Sequence, residues 1–253
     1  MELWTPTHVQ TLLPAIIVMI LIAAVLRLTI GKKDRKIRMI PFQILSCVLV
    51  LLEIGKQGLS LYRGYDLYHL PFHFCSILIF LPIIMAFYRG KHQQAVYSVT
   101  TAICASISLL MLIYPSLIYS ADNINGYFEG YLNFHTVTFH NLVLFAFILI
   151  LTLELHIPQR KGNAKPLILF VLVFCVVSAT MAMILKTNYA NFYQCNIPFF
   201  EGIRVGAQPL LGVWGAQLLY ICILSALNIL FSLLCYQIYR LLRRLCFKAA
   251  VPV

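Results

Sequence analysis

Ionisable side chains inside apolar runs are the place to look for chemistry, because lipid penalises them heavily unless they face a cavity or one another. Glu53 and Lys56 stand three residues apart in such a run, which puts them on one helical face. That spacing allows a structural ion pair or one wall of a polar site. The stretch RGYDLYHLPFHFCS (63–76) then places His73 and Cys75 two residues apart. Pro71 suits the first turn of a helix, where its missing N–H is not needed. A thiol in that first turn feels positive partial charge, which favours its thiolate. Residues two apart on a helix do not face each other, so a histidine from another element is the better base for Cys75. The plainer alternative is an interfacial histidine beside a packing cysteine.

That other histidine is offered by NFHTVTFHNLVLFAF (133–147). His135 reads as a solvated residue at the interface. His140 and Asn141 lie one to two turns deeper and run into unbroken apolar sequence. Glu53, Lys56, His73, Cys75, His140 and Asn141 therefore come from three segments and share one depth. Weaker candidates lie in the last polar loop, where Asn188, Tyr189, Asn191 and Tyr193 form either a gate or an interfacial belt. Lys186 and Arg204 either attract phosphate or mark the water boundary. Gln208 and Gln217 are placed to line a cavity at the start of the last run.

The elements that carry these residues follow from composition. The 253-residue chain is 61% hydrophobic and 11% charged, against roughly a quarter charged in soluble domains. Apolar runs fall at about 10–30, 39–61, 70–88, 95–117, 134–155, 166–186 and 209–239. With no alternating barrel pattern, the expectation is an all-α polytopic membrane protein of seven transmembrane helices in a single domain, 1–253. Pro82 and Pro115 are expected to kink their helices without ending them.

The excess of 19 Lys and Arg over 8 Asp and Glu sits in short loops, which points to orientation signals and lipid contacts and away from nucleic acid. Lys32, Lys33, Arg35, Lys36 and Arg38 fill the first loop, and Arg89 and Lys91 the third. Arg160, Lys161 and Lys165 lie in the fifth, and Arg240, Arg243, Arg244 and Lys248 in the tail. Seven crossings put all four on one side, with the N-terminus outside and the C-terminus inside. The opening MELWTPTHVQ lacks a signal peptide's basic region, so the first span is expected to be retained. Glu154 reads as an interface cap, and the inner halves of the spans otherwise hold almost no ionisable group.

Cys47, Cys104, Cys175, Cys222 and Cys235 read as small packing residues within spans. The spacing leaves open a bridge between Cys75 and Cys195, and palmitoylation of Cys246 beside the basic tail. No HxxxH or CxxC spacing occurs, so neither a metal nor another cofactor is expected.

The combination of EIGKQ (53–57), LPFHFCS (70–76), His140 and TNYANF (187–192) resembles the YwaF-type bacterial integral membrane family along most of the chain. That family is similar to eukaryotic membrane acyltransferases of ether phospholipids and to AIG-type fatty-ester hydrolases. The resemblance implies a multi-pass protein of the bacterial cytoplasmic membrane that acts on lipid acyl groups at the outer leaflet. His73, Cys75 and His140 would be its catalytic residues, and Glu53, Lys56, Asn141, Asn188 and Tyr189 would contact substrate. In the acyltransferases the acyl-carrying cysteine immediately precedes the histidine. Here Phe72 holds that position and the thiol is displaced to Cys75, so a covalent route and direct base catalysis by His140 both stay open. Membrane lipids are the implied partners, and oligomeric state and partner subunits are unassigned. The competing class is a small-solute permease or transporter subunit, since intramembrane Glu and Lys also mark transport paths.

Overall fold

The computed structural model describes residues 6–158, 164–195 and 197–247. In hydrocarbon a backbone must satisfy itself, so the long apolar runs close their hydrogen bonds within helices. Helix α1 (Pro6–Ile30) and α2 (Arg35–Tyr62) come first, followed by two 3₁₀ turns (Leu67–His69 and Cys75–Ile79) and the short α3 (Leu81–Phe87). Then follow α4 (Gln93–Ile113), α5 (Ala121–Asn125), α6 (Tyr131–Thr152), α7 (Ala164–Leu185), α8 (Pro198–Gly206) and α9 (Gln208–Cys246). Among the described residues there is no strand. Six of these helices are long and apolar enough to cross a membrane.

The third expected span is not one helix, and its helical apolar part is only Cys75–Phe87. Pro71 biases Leu70 away from helical angles, and Leu70 is extended (ψ 145°). Pro82 occupies the first turn of α3 and so starts a helix; it does not kink a continuous one. Pro115 acts likewise: α4 stops at Ile113 and the proline opens a 3₁₀ turn. The broken segment still runs the length of α2. Gln57 donates to the His69 carbonyl (2.8 Å) and Gln43 to the Ala86 carbonyl (3.2 Å). Those two glutamines are about 21 Å apart along α2 at 1.5 Å per residue.

Unwound backbone at this depth needs protein partners, and it has them. Ser178 of α7 donates to the Phe72 carbonyl (2.6 Å), and the Tyr189 hydroxyl donates to the Leu67 carbonyl. Helix α4 is the centre of the bundle, with 72% of its apolar window buried against 17% for α1. Its buried face is built from Ser98, Thr101, Ala102, Ala105 and other small residues, which let helices approach closely.

The basic segments meet at one end of the bundle. Glu154 pairs with Arg27 (2.8 Å) and Arg243 (3.5 Å), so it is an ion-pair hub and not a simple cap. Arg35 and Arg38 donate to the Leu155 and Leu153 carbonyls. Arg89 lines a small cavity with Arg35 and Lys36. Arg160, Lys161 and Lys248 lie outside the described residues. The same end also holds a group absent from the sequence reading. His156 is fully buried, stacked on Tyr239 at 5.8 Å, with its Nε2 3.0 Å from the Tyr236 hydroxyl. Of the cysteines read as packing residues, Cys104, Cys175 and Cys235 are buried, whereas Cys47 and Cys222 are exposed on the helix surface.

Candidate functional site

At the opposite end, α2 presents Glu53, Lys56 and Gln57 toward α6 and the unwound segment. Gly55 permits this approach, because a Cβ there would collide with the Tyr131 ring, whose hydroxyl donates to the Leu52 carbonyl at 2.8 Å. Glu53 is 6% exposed and surrounded by donors. Lys56 Nζ is 2.7 Å from Oε1, Gln57 Nε2 is 2.6 Å from the same oxygen, and His135 Nε2 is 3.1 Å from Oε2. Gln57 is itself oriented by the Tyr65 hydroxyl (2.7 Å).

His135 is thus a buried partner of Glu53, 5% exposed, and the reading of it as a solvated residue is corrected. A signal for it existed. A carboxylate within the membrane with one adjacent cation retains free lone pairs and calls for further donors.

Glu53, Lys56, His73, Cys75, His135 and His140 line one cavity of about 420 Å³, to which the turns around Leu117 and Asn123 also contribute. His140 is 5% exposed. Its Nδ1 lies 2.7 Å from the Thr136 carbonyl, which can only accept, so Nδ1 carries the proton. Nε2 is then the lone-pair nitrogen, and it is buried without a hydrogen-bond partner. The Tyr119 ring stands edge-on to His140 at 6.3 Å. Burial pushes its phenol up to about 12, which keeps it neutral.

His73 and Cys75 do not sit on the first turn of an α-helix. His73 lies in the unwound stretch, and Cys75 opens a 3₁₀ turn. His73 Nε2 is 3.0 Å from the Tyr68 carbonyl and therefore donates, leaving Nδ1 as its acceptor. The ring is held between Tyr68 (4.4 Å) and Tyr189 (5.4 Å). Tyr68 and His69 are further lining residues that the sequence reading did not name.

Two other candidates fall elsewhere. Asn141 does not line this cavity, and its Oδ1 is buried without a partner. Tyr189 is fully buried, and its hydroxyl braces Leu67, so it supports the unwound segment. Asn188 and Asn191 line a second, adjoining cavity. Gln217 is spent on the Phe192 carbonyl (2.7 Å), and Arg204 on Glu201. Cys75 and Cys195 are both free thiols. Among the described residues no group of three His, Cys, Asp or Glu is placed to hold a metal ion.

The arrangement can accept a proton at His140 Nε2, offer a positive charge at Lys56, and bring a thiol to the same space. No curated protein and no solved structure matches the chain. A family model does match, over residues 3–239, which is nearly the whole length, and this multi-pass membrane protein belongs to the TMEM164 family.

Proposed function

We propose that the chain is a membrane acyltransferase or acyl hydrolase working on lipid esters at the outer leaflet of the bacterial cytoplasmic membrane, within one membrane domain. The observation that carries this reading is His140. An unpaired ring nitrogen alone is not distinctive, since His156 Nδ1 is also without a partner; what distinguishes His140 is its neighbours. At His140 one nitrogen is pinned by a backbone carbonyl and the other is a buried, unpaired acceptor, on a residue that lines a cavity with Cys75 and Lys56. That is how a general base is fixed in one tautomer. The likeness of LPFHFCS to the acyltransferase motif supports the same chemistry, and a site near one end of the bundle matches the depth of lipid ester bonds.

In the reaction, His140 Nε2 takes the proton from the attacking group as it bonds to the ester carbonyl carbon. The Lys56 ammonium stabilises the resulting oxyanion. The C–O bond of the donor ester breaks, and its oxygen leaves with the proton returned from His140. The attacking group is the Cys75 thiol in a two-step route, or an acceptor hydroxyl or water in a one-step route. The basic end of the bundle faces the cytoplasm in this reading, which puts the cavity on the outer side.

The test uses purified protein with a fluorescent phospholipid. His140→Ala, checked for insertion and folding, is expected to lose roughly 10²–10⁴-fold in turnover. A hydroxylamine-sensitive acyl group on the wild type, absent from Cys75→Ser, selects the two-step route. Cys75→Ala with most activity retained selects the one-step route. A folded His140→Ala protein at full turnover overturns both, and solute uptake into proteoliposomes becomes the assay of choice.

A further inference from the structure

The wall that carries His73 and Cys75 has a second face. A cavity of about 190 Å³ lies behind it, less than half the size of the first, and Tyr68, His73, Cys75, Leu117 and Ile118 line both. Its far side differs in chemistry from the first chamber. Asn188, Asn191 and Asn228 supply amides and Ser116 a hydroxyl, with Asn188 Nδ2 donating to Asn191 Oδ1 (3.4 Å) and Asn188 Oδ1 accepting from the Gln194 N–H (3.3 Å), while no Lys, Arg, Asp or Glu is among the lining residues.

Two features show that this lining is built. Asn228 sits near the middle of α9, half-buried in an apolar span, and makes no side-chain hydrogen bond with the described residues. An amide left unpaired at that depth is costly unless it meets a ligand or water. Opposite it, the 188–192 turn is held in an unfavourable shape. Ala190 (φ 47°) and Asn191 (φ 62°) are both left-handed, which asparagine tolerates but which costs Ala190 about 1 kcal/mol or more. Helix α9 enforces the turn. The Tyr220 hydroxyl donates to the Asn191 carbonyl (2.5 Å), and Gln217 donates to the Phe192 carbonyl (2.7 Å). The turn directs Asn188 and Asn191 to the cavity that also meets Asn228.

We propose that this second cavity binds the acyl acceptor, and that the acceptor carries a neutral polyhydroxyl head group such as glycerol. Amides both donate and accept, as hydroxyls do, so an amide-lined chamber matches a polyol. A phosphate would enter without a cation to offset its charge. The assignment rests on the acyl-transfer reading and extends it: donor and acceptor approach the same wall from opposite sides. The acceptor oxygen forms the new ester bond as the bond from the acyl carbon to its previous carrier breaks. The acceptor's proton is taken by His140 Nε2 and returned to that carrier.

The probe is a photoactivatable monoacylglycerol added to full-length protein in lipid nanodiscs, with cross-links mapped by peptide. Cross-links are expected within 188–191 and at Asn228, competed by monoacylglycerol and not by lysophosphatidylcholine. Asn228→Leu and Asn191→Gly should each reduce cross-linking and transfer to monoacylglycerol about ten-fold, while acyl loading or ester hydrolysis from the first cavity persists. Glycine accepts the left-handed angle at 191, so that variant removes the amide and its bond from Asn188 while keeping the backbone angle. Cross-linking as expected with no acyl chemistry in any assay would sink the acyl-transfer reading and leave the polyol chamber standing. Cross-links elsewhere, equal competition by lysophosphatidylcholine, or insensitivity to both variants would overturn the chamber itself.

Discussion

The buried pair of Glu53 and Lys56 makes a quantitative demand on stability. Glu53 Oε1 and Lys56 Nζ are 2.7 Å apart, with side chains only 8% and 15% exposed. Removing one member of such a pair leaves a charge without its counterion, at a cost of about 3–5 kcal/mol. For a protein of this size 1 kcal/mol corresponds to roughly 2–4 °C in melting temperature, so Glu53→Gln or Lys56→Met should each melt about 6–20 °C lower. The double variant removes both charges together. With a coupling of about 2 kcal/mol its shift should fall short of the sum of the two single shifts by about 4–8 °C. Glu53→Gln should be the worse of the two, because it also removes the carboxylate charge 3.1 Å from His135 Nε2. The measurement is thermal unfolding in one detergent and lipid mixture, following loss of soluble monomer. Single variants within about 1 °C of wild type, or a double variant whose shift equals the sum of the singles, would refute the coupling.

Two further outcomes are expected. In the proposed orientation, Glu129→Cys should react with an impermeant thiol reagent on intact cells while Lys33→Cys should not, and the reverse pattern would invert the topology. Near the start of α9, the Arg204 guanidinium holds the Glu201 carboxyl below the usual carboxylate range. The charged pair therefore stabilises the fold above the ordinary glutamate pKa of about 4.3, and that stabilisation is lost as pH falls through the lowered folded value. Glu201→Gln should melt slightly lower than wild type at pH 7, with the difference shrinking below about pH 4. A difference unchanged from pH 7 to pH 3 would show that the pair contributes nothing.

Sequence periodicity and length were enough for six of the crossings, because lipid forces apolar runs of about 20 residues into helices. They could not disclose the state of the third. Hydropathy reports where a segment resides, while its conformation depends on partners such as Ser178 and Tyr189 far along the chain. The grouping of Glu53, Lys56, His73, Cys75 and His140 in one cavity was legible as shared depth, since the ends of neighbouring spans lie at one level. Depth says nothing about rotation around the helix axis. His135 was therefore placed in solvent when it faces Glu53, and Asn141 beside the cavity that it does not line. Asn228 and His156 escaped notice because each is a lone polar residue, and only packing shows what surrounds it.

The unwound third crossing has a consequence for biosynthesis. Its carbonyls are satisfied by groups not yet made when it leaves the ribosome: Ser178 follows Phe72 by 106 residues, and Tyr189 follows Leu67 by 122. At about 5–20 residues per second, the segment waits on the order of ten seconds for those donors. During that interval its open backbone favours the water-filled insertion machinery or the membrane surface over the lipid core. The polar cavity therefore closes late, after α7 arrives, and a nascent chain truncated before α7 should retain its first two helices in the membrane while leaving residues 63–76 accessible to protease.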